Sequence, residues 1–238
     1  MKRIKIGLVL AILTLSFLST NAYAALQVIG TAEYQANTYK LIYMEDSPFG
    51  PITWLDYTNP ETKWQTQKDW ASGLGSELAV TLYDGYDDTG IDWTAGWRLP
   101  ETVNGFSVIG YDDTFLRGYN ITTSEMGYLF YEELGNAGEF DTNGDSLEDF
   151  GLENTGDFDN LLADRYWSET YYQPNHNSLA WGFEFDLGYQ HASHQEYNYL
   201  YGLAVHSGDI SAVPIPGAVW LLGSGILGLM GLRRKRVR

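Results

Sequence analysis

The side chains able to do chemistry lie mostly in the second half of the chain. In the run Asp141-Thr142-Asn143-Gly144-Asp145-Ser146-Leu147-Glu148-Asp149, Asp141, Asn143 and Asp145 set oxygen donors at alternate positions. A backbone carbonyl at Leu147 and an acid at Asp149 follow, matching the first nine places of a calcium loop, and calcium is the cation it would take. Glycine stands at the fourth place rather than the sixth, and the last acid is displaced past Leu152 to Glu153. A solvated acidic Asn-Gly turn is therefore the competing reading.

The tyrosines form a second set. Tyr166, Tyr171, Tyr172, Tyr189, Tyr197, Tyr199 and Tyr201 are interleaved with Asn175, His176, Asn177, Asp186, Gln190 and Asn198. Rings beside amides and carboxylates can stack on sugar faces while the polar groups bind hydroxyls. Tyr171, Tyr172, Asn175, Tyr189 and Tyr197 are the candidate contacts, and core packing is the alternative for about half of the rings. His191 and His194 have a metal-like spacing only on a helix. In a strand-turn setting with no third ligand they read as exposed loop histidines. Ser224 lacks a nucleophile elbow, and the acid pairs Asp87-Asp88 and Asp112-Asp113 are unremarkable in so acidic a chain. No catalytic residue set emerges.

Composition narrows the classes further. The 238 residues carry 31 acids against 14 bases, a net charge of −17, and no cysteine. Eight of the bases sit at the two ends, so six face all 31 acids and the body between carries −25. Such a surface repels nucleic acid, and the missing thiols exclude a disulfide scaffold, a thiolate metal site and a cysteine nucleophile.

The elements that must position these groups are mixed. Residues 33–44 read as a hairpin around Gln35-Ala36-Asn37. Asn59-Pro60-Glu61 reads as the start of a helix carrying Trp64, Trp70, Ala71 and Leu74 and ending near Gly73 or Gly75. Thr122 and Glu125 make a capping box for a second helix, with Met126, Leu129, Phe130 and Leu134 on its buried face and Gly135 after its end. Trp181, Phe183 and Phe185 alternate with polar or small residues as a half-buried strand, and Leu200 to Val205 forms another. Helices enclosed by short strands predict an α+β fold.

Both ends read as addresses. Lys2, Arg3 and Lys5, an apolar stretch from Ile6 to Leu18, and Ala22-Tyr23-Ala24 predict a signal peptide over 1–24. At the other end Val213-Pro214-Ile215-Pro216 precedes an apolar segment, Gly217 to Leu232, then Arg233-Arg234-Lys235-Arg236. This predicts a short membrane helix with its basic end inside and the body outside. The order and spacing over 213–238 resemble the PEP-CTERM family of bacterial sorting signals in its Val-Pro-x-Pro variant, carried by Val213, Pro214, Pro216, Arg233 and Arg234. Pro-Ile-Pro stands where the family has Pro-Glu-Pro. The resemblance implies processing by an exosortase-type transpeptidase and a link to exopolysaccharide.

The body over 25–212 resembles the Lcl-type C-terminal domain of bacterial collagen-like adhesins. The resemblance rests on Trp97-Arg98-Leu99-Pro100, Ser124-Glu125-Met126, Glu133-Leu134-Gly135-Asn136, Asn154-Thr155-Gly156, Phe158-Asp159-Asn160-Leu161, Tyr166-Trp167-Ser168-Glu169-Thr170, Ala180-Trp181-x-Phe183-x-Phe185 and Ala204-Val205-x-x-Gly208-Asp209. It implies a C-type-lectin-like fold, with a distorted antiparallel sheet, two helices and long loops. His206 stands where the family commonly has arginine. Trp97, Pro100, Trp167 and Trp181 are expected to be structural. Arg98, flanked by Trp97 and Leu99 in an acidic body, should be buried against a carboxylate.

These readings converge on an exported, non-enzymatic protein of the cell envelope, anchored or sorted by its C-terminal signal and binding polysaccharide or a surface partner. The alternative is an extracellular enzyme on a formylglycine-enzyme-like fold, whose chemistry in that family relies on cysteines.

Overall fold

In the computed structural model, which describes residues 26–105, 108–173 and 178–212, the expected hairpin forms from β1 (Gln27–Tyr34) and β2 (Asn37–Met44). Tyr34 faces Asn37, so the turn is Gln35 and Ala36 alone, both left-handed at φ 48° and 61°. Two consecutive positive φ values make the turn whose twist matches the strands it joins. Next to β2 runs β3 (Ile52–Thr62), and on the outer side of β1 lies the short β4 (Ala79–Leu82). Later come β5 (Tyr86–Asp87), β6 (Trp97–Arg98), β7 (Ile109–Gly110), β8 (Arg117–Gly118), β9 (Arg165–Tyr171), β10 (Leu179–Glu184), β11 (Tyr189–His194), β12 (Leu200–Ser207) and β13 (Ser211–Ala212).

The central strand is β12. One edge pairs antiparallel with β3 from Leu200–Thr62 to Ser207–Ile52. Its other edge forks: β9 lies parallel to it at Tyr201–Tyr166, and β6 pairs with Val205 and His206. From the fork, β9, β10, β11, β8 and β7 continue the sheet in that order. The expectation of an antiparallel sheet is corrected at two places, β12–β9 and β7–β8, which are parallel. A mixed sheet with two short helices is an α+β fold.

Side chains alternate along each strand, and both faces are covered. Leu41, Tyr43 and Leu55 point into one core with Trp97, Trp167 and the helix α1 (Trp64–Gly73). Ile42, Met44, Ile52 and Trp54 point the other way, toward Phe183, Phe185 and the second helix. That helix is α2 (Glu125–Tyr128), continued by one π turn, Leu129–Glu133. Met126, Leu129, Phe130 and Leu134 are buried there, and Gly135 ends it at φ 65°. Phe185 packs in the same core although β10 stops at Glu184.

Both helix starts differ from the sequence reading. Asn59, Pro60 and Glu61 continue β3 to Thr62, and α1 begins after Lys63 with no side-chain cap. The reason is non-local: Pro60 O and Leu200 O both accept from the buried Gln67 Nε2, while Thr62 O accepts from Trp167 Nε1. For α2 the cap is Ser124, whose Oγ accepts from Gly127 N at 3.0 Å. Thr122 instead donates to the Asp113 carboxylate, and Glu125 is drawn away to Arg98.

The two ends of the described body meet. Tyr86 pairs with Ala212 across the β5–β13 ladder, and its hydroxyl donates to Gln27 Oε1 at 3.3 Å. The signal peptide, the Val213–Pro216 motif and the C-terminal apolar helix lie outside the described residues, among which no helix is long and apolar enough to cross a membrane.

Candidate functional site

A charged junction holds the loop between β6 and α2. Arg98 donates from both terminal nitrogens to Glu125, Nη1 to Oε2 and Nη2 to Oε1, each at 2.7 Å. Glu125 is 2% exposed and also accepts from Glu101 N at 2.7 Å. Burial disfavours the charge on Arg98, but the carboxylate outweighs it and holds its pKa above the usual value. Pro100 O then takes Ser168 Oγ and Glu169 N, both at 2.8 Å, locking this loop onto β9. Trp97, Trp167 and Trp181 are each buried, with their indole nitrogens donating to Trp93 O, Thr62 O and Asn104 Oδ1.

This scaffold presents the tyrosines. Across the ribbon β9–β10–β11, Tyr171 faces Ala180 and His194 faces Leu179, so both stand at one end. His194 packs against Tyr197, the rings tilted with centroids 4.3 Å apart, in the loop leading to β12. Tyr171 is 43% exposed, Tyr199 53% and Tyr197 78%. Tyr172 leans on the buried Trp181 at 5.0 Å and so anchors this end. Tyr189 does not join them. It faces Glu184 at the opposite end of β10, against Tyr119 and Arg117 Nε. Tyr166 is fully buried, and Asn175 lies outside the described residues. Tyr199 belongs to the tyrosine set of the sequence but not to its candidate contacts; its place before the first residue of β12 carries no local signal.

Sequence reasoning also missed a cleft of about 400 Å³ between the 89–96 loop and the 206–209 turn. Its parts are more than a hundred residues apart in sequence, so no motif could have marked it. His206 Nε2 donates to Ala95 O at 2.8 Å and Asp92 O at 3.1 Å, while Nδ1 is buried without a partner. Trp93 and Trp97 flank the ring. The Asp92 carboxyl is held below the usual range by the hydroxyl and amide of Thr94. At the other wall Asp209 Oδ1 accepts from Tyr43 Oη at 3.1 Å. Burial pushes Tyr43 up to about 12, with the bond from Ile210 N opposing and Asp209 adding.

The Asp141 loop closes on itself. Asp141 Oδ1 accepts from Asn143 N at 2.8 Å and Asp145 N at 2.9 Å, and Oδ2 accepts from Asn143 Nδ2 at 3.2 Å. Phe140 and Ser146 bridge below, making 141–145 a hairpin tip. Among the described residues no three acidic or histidine side chains gather as a metal cluster. Asp141 thus spends its carboxylate on the amides of this tip, and Asn143, Asp145, Leu147 and Asp149 follow it along the same loop.

His191 corrects the reading of an exposed loop histidine. It sits in β11, 5% exposed, its Nδ1 3.0 Å from Ser193 Oγ and its Nε2 3.7 Å from Glu184 Oε1, beyond hydrogen-bond length. Burial first, then the charges of Arg165 and Arg117, pull its pKa down to about 3. Burial likewise raises the Glu184 carboxyl.

No family model, curated protein or solved structure matches this chain.

Proposed function

We propose that this chain is an exported cell-surface protein whose C-type-lectin-like body binds polysaccharide through the tyrosine-bearing end of the β9–β10–β11 ribbon. A PEP-CTERM-type signal at Val213–Arg236, handled by an exosortase-type transpeptidase, anchors or sorts it. The supporting observation is the position of Tyr197 and Tyr199. They precede Leu200, the first residue of β12, whereas Ala212, the last described residue, follows the strand's other end. Eight residues of strand separate the two ends, about 23 Å at about 3.3 Å per residue. A body tethered through its C-terminus therefore holds these rings away from the tether. Amphipathic rings exposed to this degree suit contact with a partner better than core packing.

The cleft at His206 supports no competing enzymatic reading. A general base needs a ring nitrogen free to take a substrate proton. Here Nε2 already donates to two carbonyls and Nδ1 is buried. A glycan array probed with the full-length protein in detergent, beside a hydrolase panel, tests the proposal. Glycan binding that Tyr197→Ala weakens is the expected result, and turnover of any substrate without glycan binding would reject it.

A further inference from the structure

Resting on that reading, we infer that the polysaccharide carries free amines: a hexosamine polymer at least partly without its acetyl groups, its ammonium groups lying against Tyr197 and Tyr199.

The argument begins with charge. All 31 acids and six bases fall within the described residues. Four of those bases are closed by carboxylates: Lys40 by Asp159 at 2.7 Å, Lys63 by Glu196 at 2.9 Å, Lys68 by Glu169 at 2.6 Å and Arg98 by Glu125 at 2.7 Å. Arg117 donates from Nε to Tyr189, and Arg165 stands opposite Glu184. Holding a sulfated or uronic polymer needs several cations facing one way. This body presents none in a cluster, and its net field repels a polyanion. A polycation meets attraction over the whole approach, within about 8 Å of the surface at physiological salt.

The rings supply the second half of the fit. An ammonium group is drawn to the face of an exposed aromatic ring, and the sugar carrying it presents its own faces for stacking. Tyr197 is 78% exposed and is followed two residues later by Tyr199, with the Lys63–Glu196 ion pair beside them. Exposed rings on a strongly acidic body match an aminated sugar. A neutral glycan would use the rings alone, and an acidic one would be repelled.

The test uses the full-length protein in detergent at mildly acidic pH, where the amines are charged. The probes are a β-linked glucosamine oligomer, its N-acetylated counterpart, an oligo-uronate and oligolysine. The free-amine oligomer should bind about tenfold more tightly than the acetylated one, and should weaken as salt rises from about 50 to about 300 mM. Tyr197→Ala, at a residue too exposed to matter for folding, should weaken it roughly threefold. Equal binding of the amine and acetylated oligomers, or binding only to the acetylated oligomer or the uronate, overturns this inference and leaves the polysaccharide reading standing. Oligolysine binding as tightly as the amine oligomer, with no effect of Tyr197→Ala, reduces the attraction to bulk charge and also overturns it. Failure of all three glycans overturns both.

Discussion

Arg98 and Glu125 are joined by two parallel hydrogen bonds of 2.7 Å across 27 residues of sequence, with Glu125 almost fully buried. Removing one partner of such a pair leaves the other charge without compensation. Arg98→Ala should therefore destabilise the fold by about 3–5 kcal/mol, read from chemical denaturation. A double Arg98→Met, Glu125→Leu variant should lose less than the two single losses together, because neither charge is then stranded. Additive losses would refute the coupling.

His191 sets an acid limit on stability. In the unfolded chain a histidine titrates near 6.5, and here burial pulls the pKa to about 3. Between those values the unfolded state binds the extra proton, so stability is complete above about pH 6.5 and declines as pH falls toward 3. The loss should reach roughly 3–5 kcal/mol by the lower limit. Glu184 and Asp186, whose carboxyls burial raises, act with the opposite sign. Thermal melts of the parent and of His191→Phe from neutral to acid pH isolate the histidine. The gap between them should shift in favour of the variant as pH falls, and a constant gap would contradict the assignment.

At the β1–β2 turn, Gln35 and Ala36 hold left-handed backbone that asparagine and glycine adopt more readily. Replacing the pair by Asn-Gly should stabilise the protein by about 1 kcal/mol, seen as a higher melting temperature. A lower one would mean that the turn has another geometry.

The Asp141 carboxylate closes a hairpin tip through backbone amides. Asp141→Ala should lower the melting temperature slightly, and the melting temperature of the parent in EDTA should equal that in millimolar calcium. A calcium-dependent rise in the parent protein, absent in the variant, would restore the calcium reading.

What could be read in the sequence was local. The β1–β2 hairpin needs only its own β-formers and turn, and the buried face of α2 is a spacing pattern within one element. Asn59-Pro60-Glu61 carries good helix-start chemistry, yet Gln67 and Trp167 hold its carbonyls in a strand. Glu125 satisfies the spacing of a capping box, but Arg98 offers it a stronger partner. His191 stands among Gln, Ser, Asn and Tyr, which signal solvent, while the β10–β11 pairing turns it inward opposite Gly182. The tyrosines were visible as a crowd. Which of them share an end depended on strand register, and register separated Tyr189 from Tyr171 and Tyr197.

The tyrosines stand at one end of β12 and the last described residues follow its other end, which bears on mechanical load. A polymer gripped at Tyr197 and a tether pulling beyond Ala212 would stretch the body along β12. Its bonds to β3, from Leu200–Thr62 to Ser207–Ile52, lie across that direction. Force along the strand loads them together in shear, whereas force across it would break them one by one. A body hung this way should yield at a markedly higher force than the same body pulled through two points on adjacent strand ends.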